Sequence, residues 1–244
     1  MRNIKITIEY DGTAYCGWER QKNGVAIQEV LEKAVRGVTG KDSTVYASGR
    51  TDAGVHALGQ VAHFGTPSDL PTERFLLALN AHLPNDIVVK RLEDAAPGFH
   101  ARYDAKSKIY RYTILNSRIG SALNRDRVYQ SWPQLDEQAM AKAAEHLVGE
   151  HDFRSFTSEA RVKKNTERTI LALDVRREGE TVTVTVEATG FLYNMVRAIV
   201  GTLMDVGRGK TAPDDLPKIL QARDRARAGQ NAPARGLCLM GVKY

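Results

Sequence analysis

Residues 170–187 read ILALDVRREGETVTVTVE and carry the clearest structural signal in the chain. Between Thr181 and Glu187, valines alternate with threonines, which is the period-two pattern of a strand with one buried face. The turn residues Glu178-Gly-Glu180 separate this run from a second strand-like run at Ile170–Arg177. The sequence therefore predicts an antiparallel hairpin here.

Further elements are predicted on both sides of the hairpin. Lys108–Leu115 has the pattern of a strand, and a helix from Asp136 to Val148 follows it. Beyond the hairpin, the strongly apolar run from Phe191 to Val206 predicts a helix. Leu237–Val242 predicts a strand that closes the chain.

The N-terminal part shows the same mixture of strands and helices. Isoleucines from Ile4 alternate with polar residues up to Tyr10, which predicts a strand with one solvent-exposed face. Apolar residues at three- and four-residue spacing then predict an amphipathic helix that begins near Ile27 and stops near Gly40. The other elements predicted in this part are strands near Val45–Ser48, Gln60–Phe64 and Ile87–Leu92 and a helix at Thr72–Leu83.

This order of elements predicts the α+β class. We expect two similar halves that form a largely antiparallel sheet flanked by helices. The N-terminal half would comprise residues 1–106, and the C-terminal half residues 107–244.

The charge of the chain favours a polyanionic partner. Its net charge is +6 and its isoelectric point is near 9.3, and Lys and Arg release counterions when they neutralise phosphates. One basic cluster lies at residues 161–168, and a second comprises Arg223, Arg225, Arg227 and Arg235. Ordinary solvated surface charge is the alternative interpretation of either cluster.

The sequence gives no sign of a cofactor, a metal or a membrane segment. Cys16 and Cys238 belong to no C-x-x-C motif, and the histidines show no ligand spacing. No apolar run reaches the roughly 18 residues that a membrane-spanning helix needs, and residues 1–10 lack the apolar core of a signal peptide. We therefore expect chemistry without cofactor or metal, carried out in the cytoplasm.

The segment Gly49–Ala57, GRTDAGVHA, is the first candidate for chemistry. It places several polar groups and two glycines in a turn between strands, where Asp52 could meet a ligand at close range. The structural alternative is that Asp52 only caps the turn.

A second candidate is Arg197, the only charged residue between Thr189 and Met204. A buried guanidinium without partners is costly, so we expect it to meet a carboxylate or a set of carbonyls, and Asp52 is a candidate partner. Such a pair would keep Asp52 ionised and oriented, as a nucleophile or general base requires. An arginine that reaches the surface, or pairs with a structural acid, is the alternative.

A third candidate is the segment Tyr103–Tyr112, which interleaves aromatic and basic residues as it enters a strand. On that strand Tyr110 and Tyr112 should share one face. An exposed tyrosine can stack on an unpaired base, which is worth about 1 to 3 kcal/mol, while nearby lysines hold phosphate. Core packing is the alternative for this pair of tyrosines.

Motifs along the whole chain resemble those of the tRNA pseudouridine(38–40) synthase family. They include YDGT at Tyr10–Thr13, GRTDAGVHA at Gly49–Ala57, FHAR at Phe99–Arg102, YRY at Tyr110–Tyr112, HDF at His151–Phe153, GFL at Gly190–Leu192, MVR at Met195–Arg197 and GL at Gly236–Leu237. The nine-residue block around Asp52 is the most specific of them. The resemblance implies the pseudouridine synthase fold.

The resemblance also implies roles for individual residues. Asp52 would be the catalytic nucleophile, and Arg197 would be its ion-pair partner. Tyr110 would lie over the target uracil. Arg50 and Thr51 would belong to the substrate-binding residues, with Arg50 reaching toward the RNA and helping to keep the target nucleotide extruded.

The activity implied is the isomerisation of uridine to pseudouridine at positions 38, 39 and 40 of the anticodon stem and loop of tRNA. The family needs no cofactor and acts as a homodimer. One departure is Lys108, where the family more often has arginine. Lysine keeps the charge but loses the bidentate fork, so a phosphate contact at this position is weakened.

Three rival interpretations remain. A non-catalytic RNA-binding protein could use the same basic and aromatic residues and would have no need of Asp52. A hydrolase that releases the base would require a second carboxylate, for which Asp152 could be proposed. A pseudouridine synthase that acts on another RNA shares the loose motif around the aspartate, although residues 55–57 and 236–237 favour tRNA.

Overall fold

The computed structural model of the chain describes residues 1–22, 24–158 and 165–244. The chain folds into two compact units, of which the first comprises Met1–Lys106 with Cys238–Tyr244 and the second comprises Ser107–Leu237. The sequence-based division kept all of 107–244 together. Residues 238–244 instead belong to the first unit, because their strand pairs with a strand of that unit.

Strands and helices are mixed in both units. Within the described residues the elements are β1 (Arg2–Tyr10), α1 (Ile27–Thr39), β2 (Tyr46–Ala47), β3 (His56–Thr66), α2 (Thr72–His82), β4 (Ile87–Ala95), β5 (Ser107–Leu115), β6 (Tyr129–Gln130), α3 (Glu137–Glu145), β7 (Gly149–Asp152), β8 (Glu167–Glu178), β9 (Thr181–Ala188), α4 (Met195–Gly207), α5 (Leu216–Ala222) and β10 (Leu237–Lys243). No helix among them is long and apolar enough to cross a membrane.

The first unit has its strands in the order β4-β1-β3-β10, with the short β2 also paired to β3. β1 is antiparallel to both β3 and β4, whereas β10 runs parallel to β3. The alternation in β1 is as predicted, since Ile4, Ile6 and Ile8 are fully buried. Burial of these isoleucines on one face is what fixes the orientation of the strand.

Helix α1 shows why the helical period could be recognised in the sequence. Ile27, Leu31 and Val35 are buried along one stripe of the helix. The helix ends where predicted, because Gly40 adopts the left-handed conformation with φ 66°. Its N–H donates to the carbonyl oxygen of Arg36 at 2.8 Å, which satisfies one of the last free carbonyls of the helix.

The second unit has its strands in the order β5-β9-β8-β7, all antiparallel, with β6 parallel to β5. The predicted hairpin is confirmed as β8 and β9. Glu178 pairs with Thr181, so the turn contains two residues rather than three. Gly179 has φ 57°, a value that glycine adopts without strain and that suits a two-residue hairpin turn.

Two predicted helices of the second unit have different bounds in the structure. α3 is Glu137–Glu145, shorter than the predicted Asp136–Val148. At its start Asp136 is the N-cap and accepts a hydrogen bond from the N–H of Ala139 at 2.9 Å. Beyond its end the N–H groups of Leu147 and Val148 donate to carbonyl oxygens three residues back, which closes turns and does not continue the α-helix. α4 begins at Met195 rather than at Phe191. Asn194 has φ 58°, outside the helical region, so the apolar residues before it cannot extend the helix.

The α+β class is confirmed, with a mostly antiparallel sheet and helices in each unit. Helix α5 was not predicted from the sequence. It has only seven residues, and a proline lies in its first turn, so it offers too short a stretch for the helical period to be recognised.

Gly201 of α4 provides a test of the packing of the second unit. A Cβ atom at this position would lie 1.7 Å from the carbonyl oxygen of Gln230. We predict that Gly201→Ala lowers the free energy of unfolding by about 1 to 3 kcal/mol through overpacking, despite the higher helix propensity of alanine. Urea denaturation followed by circular dichroism measures this change.

Gly98 is the matched control for this substitution. It has no positive φ, and a Cβ atom added to it would meet nothing within 4 Å. Gly98→Ala should therefore change the free energy of unfolding by less than about 0.5 kcal/mol. Equal stability of the Gly201→Ala variant and the parent chain would contradict the packing described.

Candidate active site

The loop between β2 and β3 carries the candidate catalytic residue. Asp52 is partly exposed, at the start of a tight turn in which the N–H of Val55 donates to the carbonyl oxygen of Asp52 at 3.1 Å. Gly54 completes the turn with φ 76°. The sequence therefore places an accessible carboxylate on a short loop whose backbone is internally hydrogen-bonded.

Polar side chains buried beneath the loop hold its first half. The hydroxyl groups of Thr51 and Tyr10 lie 2.8 Å apart and share a hydrogen bond. Gln60, on β3, donates from Nε2 to the carbonyl oxygen of Gly49 at 2.9 Å. Burial raises the pKa of the Tyr10 phenol well above its ordinary value, so this hydroxyl stays protonated at neutral pH.

The loop of residues 11–18 packs against the same segment from another direction. A Cβ atom on Gly12 would lie 2.0 Å from the carbonyl oxygen of Val55. A Cβ atom on Gly17, which has φ 103°, would lie 2.6 Å from the carbonyl oxygen of Thr51. This oxygen accepts a hydrogen bond from the N–H of Trp18 at 3.0 Å. Two glycines thus permit a backbone-to-backbone contact that any side chain would prevent.

His56 anchors the far end of the loop. Its Nδ1 lies 3.1 Å from the backbone nitrogen of Gly12 and 3.2 Å from a carboxylate oxygen of Asp11. These two contacts require opposite protonation of the nitrogen. A backbone N–H can only donate, so Nδ1 accepts the hydrogen bond from Gly12 and does not donate one to Asp11.

Arg50 points outward from the loop. Its side chain is 68% exposed and forms an ion pair with Glu19, whose side chain is 49% exposed. Exposed ion pairs of this kind are worth about 0 to 1 kcal/mol, so an RNA phosphate can replace Glu19 at little cost. The geometry is compatible with the role that the resemblance implies for Arg50.

Tyr110 and Tyr112 share one face of β5, as predicted, but neither is exposed. Tyr110 retains 7% of its surface, and its ring meets that of Phe191 edge to face at a centroid distance of 5.1 Å. The hydroxyl of Tyr112 donates to the carbonyl oxygen of Pro233 at 2.8 Å. The exposed tyrosine of this segment is Tyr103, which lies before the strand and is 76% exposed.

Arg197 lies in the first turn of α4 and is partly buried, as the sequence predicted. Its Nε donates to the carbonyl oxygen of Ala232 at 2.7 Å, and its Nη1 donates to Oδ1 of Asn194 at 3.1 Å. The carbonyl oxygen of Arg197 in turn accepts the N–H of Ala232 at 2.9 Å. These contacts fix the direction of the guanidinium before any substrate binds.

Two arginines of the second basic cluster bind to groups within the second unit. Arg223 forms an ion pair with Asp152 at 2.9 Å, and Arg225 donates to the carbonyl oxygens of Ala228 and Gly229. Asp152, proposed above as a rival second carboxylate, thus has a structural partner. Residues 161–164, which hold three of the four basic residues of the first cluster, lie outside the described residues.

Sequence reasoning did not identify the buried residues that support the loop. Tyr10 appears in the sequence as one more apolar position of an alternating strand and as the first residue of the YDGT motif, to which no role was assigned. Gln60 appears as a polar residue at the start of a strand. Neither has a local signal, because their importance depends on pairing between distant strands. Among the described residues, no group of three or more His, Cys, Asp or Glu side chains is arranged to hold a metal ion.

Comparison with known proteins identifies the family. The family model described as "tRNA pseudouridine synthase" matches residues 6–104 and 143–244. The chain is 50% identical over 244 residues to tRNA pseudouridine synthase A of Acetivibrio thermocellus, with both proteins covered completely. It is 46% identical, again over the full length of both proteins, to the proteins named tRNA pseudouridine synthase A in Caldicellulosiruptor bescii and tRNA pseudouridine synthase A 2 in Clostridium perfringens. The resemblance noted in the sequence is confirmed, and the chain belongs to the tRNA pseudouridine synthase family.

Proposed function

We propose that this chain isomerises uridine to pseudouridine at positions 38, 39 and 40 in the anticodon stem and loop of tRNA, with Asp52 as its one essential catalytic group. The observation that carries the proposal is full-length similarity, at 46–50% identity, to proteins named tRNA pseudouridine synthase A. Membership of this family makes the chain an isomerase. The positions in tRNA and the roles of the residues are our proposal.

The reaction explains why one carboxylate is enough. The bond between ribose C1′ and uracil N1 breaks, the base turns, and C1′ bonds to C5. The proton on C5 is lost and N1 gains one, so no atom and no electron is transferred to a second substrate. Asp52 acts either by adding to the base or by attacking or deprotonating the sugar, and its position on a hydrogen-bonded loop suits each of these routes.

The remaining residues act on binding and orientation in this proposal. Arg197 serves as the positive partner of Asp52, the role that the resemblance implies, and its guanidinium is oriented by hydrogen bonds to Ala232 and Asn194. Tyr110 contacts the uracil, which is likewise the role that the resemblance implies. Arg50 holds the RNA while the target nucleotide is everted. Everting a nucleotide costs a few kcal/mol, and the contacts of the protein with the RNA offset this cost.

The proposed enzyme modifies several neighbouring uridines. This favours recognition of the shape and the backbone of the RNA over recognition of base edges. The net charge of +6 supports such phosphate contacts. We propose in addition that the enzyme is a cytoplasmic homodimer that needs no cofactor or metal. The family supports this part of the proposal by resemblance.

Asp52→Asn tests the catalytic assignment. The substitution preserves the shape of the side chain and removes its charge, so we expect turnover to fall below detection while the Kd for tRNA changes by less than about threefold. Turnover is measured by carbodiimide modification and primer extension, and Kd by filter binding. Full activity of this variant would reject Asp52 as the essential group.

The target positions are tested by mapping. We expect tRNA from a strain that lacks this protein to lose pseudouridine at positions 38, 39 and 40, and purified enzyme to restore it there. Loss of pseudouridine from another RNA alone would favour a synthase with a different substrate. Release of free uracil would favour a glycosidic hydrolase, and an unchanged modification map would favour a binding protein.

Substitution of Tyr110 tests the contact with the base. Tyr110→Leu should lower kcat/KM by about 5- to 150-fold, because base stacking is worth about 1 to 3 kcal/mol, whereas Tyr110→Phe should keep most of the ring contact. The comparison uses steady-state rates on unmodified tRNA. Equal kcat/KM for the leucine variant and the parent chain would contradict a role of the ring in binding uracil.

A further inference from the structure

Four polar side chains are buried together behind the loop that carries Asp52. They are Tyr10, Ser48, Thr51 and Gln60, with exposed fractions of 3%, 0%, 6% and 0%. Buried polar groups destabilise a fold unless they are hydrogen-bonded, and apolar side chains could have filled the same space. The hydrogen bonds of these four residues show what the cluster does.

Gln60 binds two consecutive residues at the start of the loop. Its Oε1 accepts a hydrogen bond from the hydroxyl of Ser48 at 2.8 Å, and its Nε2 donates to the carbonyl oxygen of Gly49 at 2.9 Å. Gln60 belongs to β3, which is paired along its length with β1. The start of the loop is therefore attached to the interior of the sheet.

Tyr10 binds the next part of the loop from β1. Its hydroxyl is hydrogen-bonded to Oγ1 of Thr51 at 2.8 Å. The four side chains thus form two hydrogen-bonded pairs, Ser48 with Gln60 and Tyr10 with Thr51. Together these pairs join β1 and β3 to the loop residues that come immediately before Asp52.

Both oxygens of Thr51 are engaged within the first unit. Its side-chain hydroxyl is bonded to Tyr10, and its carbonyl oxygen accepts the N–H of Trp18. With 6% of its surface exposed, Thr51 is poorly placed to contact RNA. The residue before Asp52 is thus held by two hydrogen bonds, and the carbonyl oxygen of Asp52 itself accepts the N–H of Val55 at 3.1 Å.

We propose that Tyr10, Thr51 and Gln60 are positioning residues that set the geometry of Asp52 for the reaction, and that Thr51 has this role instead of binding substrate. The inference rests on the proposed function, in which Asp52 is the essential group. Misplacement of a catalytic group by about 1 Å can cost about 100-fold in rate, so loss of these hydrogen bonds should reduce the chemical step and leave RNA affinity intact.

The experiment is a double-mutant cycle with Tyr10→Phe and Thr51→Val, each of which removes one hydroxyl and keeps the volume. We expect each to lower the single-turnover rate constant at saturating enzyme by about 10- to 100-fold. The Kd for unmodified tRNA should stay within about threefold of the parent value. The double variant should be no slower than the slower single variant, because both substitutions break the same hydrogen bond.

Two controls separate positioning from loss of stability. Thr51→Ser keeps the hydroxyl and should retain the parent rate. Tyr244→Phe removes another tyrosine hydroxyl of the first unit, which donates to the carbonyl oxygen of Ala101 at 2.7 Å, and should destabilise the protein without slowing the reaction. Thermal unfolding midpoints are measured for every variant. A fall in rate that only tracks the midpoint, in Tyr244→Phe as much as in Tyr10→Phe, would reject the proposal.

The outcomes distinguish this inference from the function on which it rests. If Asp52→Asn is inactive while Tyr10→Phe and Thr51→Val react at the parent rate, the positioning role is rejected and the catalytic assignment stands. If Thr51→Val weakens tRNA binding by 10-fold or more at an unchanged rate constant, Thr51 is a binding residue. If Asp52→Asn is fully active, the proposed function itself fails.

Discussion

The antiparallel pairing of β1 with β3 is the constraint on which the candidate site depends. In this register Ile6 lies opposite Ala62, and Ile8 lies opposite Gln60, so one polar side chain stands in an otherwise apolar row. Because side chains alternate with a period of two, a slip by one residue would turn the whole row to the other face. Burial of the isoleucines therefore fixes the position of Gln60, and with it the start of the Asp52 loop.

Close backbone approach is the second requirement of the site, and it is met by residues without side chains. Gly12 and Gly17 bring the loop of residues 11–18 against the backbone of residues 51–55 at distances that exclude a Cβ atom. Hydrogen bonds between the two loops then hold the second loop, in addition to the buried polar side chains. A loop held from two sides can present a carboxylate in one orientation, and such preorganisation is what electrostatic catalysis needs.

The sequence predicted those parts of the fold that depend on local periodicity. β1, α1 and the β8–β9 hairpin have clear periods and unambiguous turn residues, and all three were correct. The predicted start of α4 was wrong because the apolar pattern already begins before Asn194. The left-handed conformation of Asn194 sets the N-terminal end of the helix there, and the spacing of apolar residues does not reveal such a conformation. The buried state of Tyr110 and the support from Gln60 depend on contacts between distant residues, which composition and spacing do not contain. Only the resemblance to a family singled out Asp52, since local reasoning left a turn cap as the alternative.

Part of the positive charge of this chain is engaged in hydrogen bonds within the fold. Arg225 is partly buried and donates to two carbonyl oxygens, and loss of hydration lowers the pKa of its guanidinium. Burial likewise lowers the pKa of Arg168. Moving the guanidinium of Arg225 to a phosphate would leave its present acceptors without a donor. Among the described residues, an exposed and weakly paired cation such as Arg50 is therefore better suited to a phosphate contact than Arg225 is.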